Sequence, residues 1–266
     1  MSRPVFFLDS AARFSAGDSC DLDGAEGRHA VVVRRVRVGE QILLTDGRGT
    51  ALDVEVTATG RADAMCEVLA VRRDERPELQ VTVVQAIPKG DRGELAVELL
   101  TEVGIDEIVP WQASRCVSQW RGERLHRGRA KWDAAAREAA KQSRRTWWPV
   151  VTPMADSATV AELIDGADAA WILHEAATES LAHLLASSAP PRSGRVLLVV
   201  GPEGGVSDVE LEGFASAGAT AVRLGPSVLR TSTAGVVAAT LVLAGTAPWG
   251  RSLGGQAKGS AHERHH

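Results

Sequence analysis

Two short stretches in the C-terminal third hold the residue types that could do chemistry. Gly201-Pro202-Glu203-Gly204-Gly205 follows an apolar β run, Val196 to Val200. Gly225-Pro226-Ser227-Val228-Leu229-Arg230-Thr231 follows a second run, Ala221 to Leu224. Glycine lets a ligand approach the backbone closely, and proline stiffens the loop. Apart from Glu203 and Arg230, neither loop holds a titratable side chain. That inventory suits a cofactor gripped by backbone and apolar groups rather than a metal or a hydrolytic triad. Arg230, permanently charged and planar, is the candidate to stabilise charge building up on a carbonyl oxygen. A proton acceptor is less defined: Glu203, His174 and water all qualify.

These residues need elements to hold them. Ser207 and Glu210 form an S-x-x-E capping box that opens a helix. Thr233 to Ala244 is an apolar helical run. Two strands, each ending in a Gly/Pro turn and separated by one helix, are what an open parallel sheet presents to a ligand. Upstream, Leu79–Ile87 reads as a strand, Gly93–Val103 as a helix ended by Gly104, and Ile105–Pro110 as the next strand. The intervening Pro88-Lys89-Gly90-Asp91-Arg92 places two cations at a strand end, within reach of a phosphate. Lys131 to Arg145 reads as a helix with an alanine face, stopped by Trp147-Trp148-Pro149. A short helix is expected at Ala158–Ile164, a strand at Ala169–Leu173 with His174-Glu175 at its end, and a surface loop at Ser187–Gly194.

Residues 1–75 read as β, with runs at Val5–Leu8, His29–Val33, Gln41–Thr45, Leu52–Ala58 and Ala64–Val71. Asp46-Gly47 is a hairpin signal, and the spacing predicts a small barrel. Arg72 to Glu78, charged and holding a proline, is the expected linker between domains 1–75 and 76–248. The tail at 249–266 is Gly/Ser-rich and polar and is expected to be disordered.

Composition narrows the partners. The chain has 266 residues, 44% of them apolar, enough for packed cores. No apolar run reaches the ~18 residues of a membrane span, and the N-terminus does not read as a signal peptide. Cys20, Cys66 and Cys116 are scattered, which argues against a zinc site and for a reducing compartment, the cytoplasm. Net charge is −4, but residues 115–145 hold ten Lys/Arg against three Asp/Glu. A basic segment on an acidic chain fits an RNA partner.

The pair GPEGG and LGPSVLRTSTA resembles the SPOUT methyltransferases, and within them the RsmE family of 16S rRNA (uracil-N3) methyltransferases. IPKGDR and EAAKQSRR extend the likeness, which spans most of residues 3 to 247. One position departs from it: Ser232 stands where the family pattern has Glu. The resemblance implies an α/β SPOUT domain with a parallel sheet and a trefoil knot, preceded by a PUA-like β-barrel. It implies S-adenosylmethionine as cofactor, no metal, a homodimer, and 16S rRNA or the small ribosomal subunit as partner. The cofactor would lie against Leu173, His174, Glu175, Val200, Gly201, Pro202, Glu203, Gly204, Gly205, Leu224, Gly225, Val228, Leu229, Arg230, Thr231, Thr233 and Ala234. RNA would meet Arg3, Arg34, Arg35 and Arg37 on the barrel, and Lys89, Arg92, Arg115, Arg137, Lys141, Arg144 and Arg145 beyond it. Two other readings stay open on sequence alone. One is a SPOUT enzyme with another RNA target; the other is a non-catalytic RNA-binding or ribosome-assembly factor.

Overall fold

The computed structural model describes residues 3–188, 191–246 and 249; the tail expectation, but for Trp249, lies outside the described residues. The N-terminal part is a five-stranded sheet: β1 (Val5–Phe7), β2 (Ser19–Leu22), β3 (Gln41–Thr45), β4 (Thr50–Thr59) and β5 (Ala64–Arg73). The order is β1-β3-β4-β5-β2. β1 runs parallel to β3, and the other pairs are antiparallel. Register shifts in β4 after Asp53 and Val56 curl the sheet around a core of Phe6, Leu22, Ile42, Leu44, Leu52, Val54 and Cys66.

One stretch here departs from the sequence reading. His29–Val33 is not a strand. Helix α1 (Gly24–Arg28) runs directly into a π-helical turn, His29–Arg34, which ends on a left-handed Arg35. Ala30 and Val36 are buried while Val32 and Val33 face solvent, so burial does not follow the period of two. The β-branched run Val31–Val33 suggests a strand, but the helix begun after Asp23 carries through it. β2 carried too little apolar pattern to be recognised.

The C-terminal part is a six-stranded, wholly parallel sheet in the order β11-β9-β10-β6-β7-β8. Its strands are β6 (Leu79–Ala86), β7 (Glu107–Trp111), β8 (Val150–Val151), β9 (Ala169–Leu173), β10 (Gly194–Val200) and β11 (Thr220–Val222). A parallel sheet covered on both faces needs strands apolar on both sides. In β10, Val196 and Leu198 join one core while Leu197 and Val199 join the other. The first core is covered by α2 (Arg92–Val103), α3 (Glu123–Gln142), α5 (Leu181–Ser188) and α7 (Thr231–Ala244). The second is covered by α4 (Ser157–Asp165) and α6 (Asp208–Ser216). The fold is thus α/β with a parallel sheet behind a barrel-like N-terminal domain. α3 begins eight residues before the expected Lys131, and α5 takes in Ser187 and Ser188, the first two residues of the expected 187–194 loop.

The tryptophans after α3 join the two parts. Trp147 Nε1 donates to the Asp74 carbonyl at 2.9 Å, Thr146 Oγ1 donates to Asp74 Oδ2 at 2.7 Å, and Trp148 packs on Phe7 at 5.1 Å between ring centroids. No helix among the described residues is long and apolar enough to cross a membrane.

Candidate active site

The C-terminal ends of β9, β10 and β11 open into one cavity of about 470 Å³. The loop after β10 supplies its floor, Gly201 to Gly205, and the loop from β11 to α7 supplies the opposite wall, Leu224 to Thr231. Leu173, His174, Glu175, Val200 and Ala234 complete the cofactor-side lining expected from sequence. Thr233 is the exception: its hydroxyl turns back to donate to the Arg230 carbonyl at 3.2 Å and does not line the cavity.

The glycines are required here. A Cβ on Gly201 would stand 2.8 Å from Val206, and one on Gly204 would stand 3.1 Å from the Arg115 backbone and Cβ. Gly205 has φ +73°, the left-handed region that disfavours side chains.

A buried carboxylate fastens this loop. Glu210, 6% exposed, closes the capping box of α6 with Ser207. The same carboxylate accepts from the Ser114 amide at 2.8 Å, the Ser114 hydroxyl at 2.9 Å and the Ser157 hydroxyl at 2.8 Å. It therefore ties the loop after β7 and the start of α4 to the glycine loop. Burial pushes its pKa up, but the donors from Ser207, Ser114 and Ser157 outweigh that and hold the pKa down at about 2. A depressed carboxylate stabilises the fold fully above its unfolded value of about 4.5 and loses that effect as pH falls towards about 2. Glu210→Gln is expected to cost on the order of 2–3 kcal/mol at pH 7 and progressively less below pH 4.5, measured by urea denaturation across that range. The capping box is legible in the sequence, but Ser114 and Ser157 are not, since they reach Glu210 only through the fold.

Gln85 was also missed. At the end of β6 it is fully buried, and its Nε2 donates to the Thr231 carbonyl at 3.4 Å, linking the sheet to the start of α7. Ser232 lies in that same first turn, 4% exposed.

Two groups could accept a proton. His174 Nδ1 accepts from the Ala176 amide at 3.3 Å, so the neutral ring keeps its proton on Nε2. Glu203, in the cavity lining, accepts on Oε1 from the Lys89 amide at 3.2 Å, and its Oε2 has no hydrogen-bond partner among the described residues. Arg230 is exposed at the N-cap of α7 and has no acidic partner among the described residues.

The basic residues expected to meet RNA fall into separate groups. Arg92 and Arg115 line the cavity itself, and Arg115 Nη1 lies 3.5 Å from the Gly204 carbonyl. Lys89 sits on the adjoining loop. Arg3, Arg34, Lys141 and Arg144 surround a second cavity between the two sheets' domains, with Arg35 and Arg37 exposed nearby. Two residues are drawn inward. Lys141, its side chain 4% exposed, pairs with Glu26 and Glu138. Arg145 donates to the carbonyls of Thr101 and Ile105, and burial lowers its pKa to about 10 against the opposing pull of Asp106. Neither is free to meet a phosphate: Lys141 is held against Glu26 of the N-terminal domain, and Arg145 against the C-terminal end of α2. Arg137 pairs with Asp133 and stacks over Phe7 at 5.7 Å. Among the described residues no three His, Cys, Asp or Glu gather as a metal site.

Comparison with known proteins agrees with this layout. Residues 75–243 match an RNA methyltransferase domain model, and residues 22–68 match an RNA methyltransferase PUA domain model. The ribosomal RNA small subunit methyltransferase E of Mycobacterium tuberculosis is 45% identical over 93% of this chain and 94% of its own. The Bacillus subtilis protein of the same name is 28% identical over 83% of this chain and 88% of its own. A crystal structure of the Neisseria gonorrhoeae ribosomal RNA small subunit methyltransferase E bound to S-adenosyl methionine is 30% identical, with a TM-score of 0.79 over 91% of this chain and 97% of that one. With the matched domain models, the extent of the identity and the glycine-lined cavity in hand, the chain belongs to the ribosomal RNA small subunit methyltransferase E family.

Proposed function

We propose that this chain is an S-adenosylmethionine-dependent methyltransferase that methylates N3 of a uridine in 16S rRNA. It works on the assembled small ribosomal subunit, in the cytoplasm, as a homodimer with a trefoil knot in its C-terminal segment. The observation that carries this reading is the cavity at the ends of β9–β11, floored by glycines and lined by Arg230, which has no acidic partner among the described residues. Its residues fit the cofactor: backbone at Gly201, Gly204 and Gly205 for the polar groups, and Leu173, Leu224 and Leu229 for the adenine ring. Exposed Val228, Leu229 and Val237 support a dimer, since a second copy would cover apolar side chains beside and beyond the cavity.

When bound, S-adenosylmethionine supplies an electrophilic methyl group on a sulfonium. The protein must hold the uracil N3 in line with it; positioning of this kind lowers a barrier by about 7–11 kcal/mol. N3 must also lose its proton, because the neutral imide is a poor nucleophile. Glu203 Oε2 takes that proton, and the carboxylate is steadied by the Lys89 amide on its other oxygen. Charge then accumulates on uracil O2 and O4, where the Arg230 guanidinium stabilises it. The target base must be unpaired or splayed out, since N3 is hidden in a duplex.

Glu203→Gln is expected to slow methyl transfer by about 10²–10⁴-fold with cofactor affinity near wild type. His174→Asn, by contrast, should retain most of the rate. Radiolabelled methyl transfer to small subunits, with free 16S rRNA beside them, tests the reading. Absence of cofactor binding would favour an assembly factor.

A further inference from the structure

We infer that Gln85 is a positioning residue for methyl transfer: its side-chain amide holds the first turn of α7, and with it Arg230, against the end of β6. The inference rests on the methyltransferase reading and on the part Arg230 takes in it. Gln85 is not in the cavity lining, so it acts through the chain that carries Arg230.

Gln85 is fully buried in the parallel sheet, in register with Val200 of β10 on one side and Pro110 of β7 on the other. Val81 and Val83, which precede it on the same face of β6, are apolar and belong to the core under α7. Its Nε2 donates to the Ala86 carbonyl at 3.1 Å and to the Thr231 carbonyl at 3.4 Å. Both partners are acceptors, so only the NH₂ end of the amide can face them, and the orientation of the side chain follows. Oε1 is turned the other way, where it is buried with no hydrogen-bond partner among the described residues. A Cβ added to Gly235 of α7 would stand 3.2 Å from Leu100, 3.3 Å from Val200 and 3.6 Å from this oxygen, so the carbonyl is set among apolar groups close under the helix. A buried acceptor without a donor is unfavourable and rare in native proteins. Methionine would fill the same place without that cost. What glutamine adds is the hold on Thr231.

The carbonyl it holds belongs to the residue after Arg230. Arg230 is the N-cap of α7, and its own carbonyl accepts from the Thr233 and Ala234 amides. Those bonds fix the shape of the turn but not its place relative to the sheet. Among the described residues, the bond from Gln85 is the only side-chain hydrogen bond between α7 and the parallel sheet. Misplacing a group by about 1 Å can slow a reaction about a hundredfold, so the seat of this turn matters to a guanidinium that must meet a carbonyl oxygen.

The test is a double-mutant cycle on single-turnover methyl transfer to small ribosomal subunits, with wild type, Q85M, R230A and Q85M/R230A. Q85M is expected to slow transfer at least about tenfold, with the dissociation constant for S-adenosylmethionine within a few-fold of wild type. Its thermal midpoint should stay within about 4 °C of wild type, because the swap conserves volume and removes the unpartnered oxygen with the donor. In the R230A background the same substitution should slow transfer by no more than about twofold, since there is no guanidinium left to place. Q85N carries the same amide one methylene short of Thr231 and should reproduce the loss, so the cycle can be run with either variant that folds. A wild-type rate in Q85M, or a tenfold loss that persists in R230A, would overturn the inference and leave the methyltransferase reading standing. Weaker cofactor binding at an unchanged rate would overturn it as well. No transfer by the wild type would overturn both.

Discussion

Arg230→Ala is expected to lower the rate of methyl transfer by about 10²–10³-fold while leaving the dissociation constant for S-adenosylmethionine within a few-fold of wild type. That is the loss seen when a single preorganised donor to a developing oxyanion is removed. The expectation follows from where the residue sits. Arg230 lies at the N-cap of α7, exposed to the cavity and without an acidic partner among the described residues. Its backbone carbonyl accepts from the amides of Thr233 and Ala234, both at 2.9 Å, so the main chain that carries it is fixed. The side chain is therefore free to act on the substrate, and its removal leaves the loop in place. Arg230→Lys should recover only part of the rate, because a point ammonium cannot match a planar fork over a carbonyl. Single-turnover rates with saturating cofactor separate this from a binding defect. A large change in cofactor affinity with an unchanged rate would assign Arg230 to cofactor binding instead.

The second large effect is expected at Gly205. Gly205→Val places a β-branched side chain at φ +73°. A left-handed backbone costs about 1–2 kcal/mol for an ordinary L-residue and more for a branched one. The loop escapes that cost by leaving its present conformation, and binding must then restore it. The dissociation constant for S-adenosylmethionine should rise at least about tenfold from strain alone, since 1.4 kcal/mol is tenfold. Gly213→Ala makes the contrast. Gly213 lies in α6 with open space where its Cβ would be, so alanine there should leave cofactor affinity unchanged and raise stability slightly. Isothermal titration with both variants measures the difference. Equal affinities would mean that the glycine loop is not the cofactor floor.

How much of this was legible in the sequence depends on how far each contact reaches. The β10 run Val196 to Val200 announced itself because both faces of a parallel strand are buried and every residue is apolar. The α6 start was equally plain, since Ser207 and Glu210 are three residues apart and need only each other. The cavity lining followed from the same stretch, because its two walls are consecutive loops of one β-α-β unit. What failed was longer in range or ambiguous in pattern. The run from Ala30 to Val33 has strand composition, yet the helix begun at Gly24 continues through it. Lys141, near the end of α3, and Arg145, just beyond it, belong to a basic stretch that looks RNA-facing in the sequence. The fold instead puts Glu26, 115 residues away, against Lys141, and the buried carbonyls at the end of α2 against Arg145. Ser114 and Ser157 carried no local signal, since their role exists only once Glu210 stands between them.

Product analysis of the methylated RNA tests the central claim most directly. Small ribosomal subunits from cells lacking this gene would be incubated with the protein and labelled S-adenosylmethionine, then digested to nucleosides for mass spectrometry. The account predicts a single new product, 3-methyluridine, from one site of 16S rRNA, formed about 10²–10³-fold more slowly when Arg230→Ala replaces the wild type. Methyl groups on a ribose, on another base or on another RNA would contradict the assignment of N3 of uridine as the acceptor.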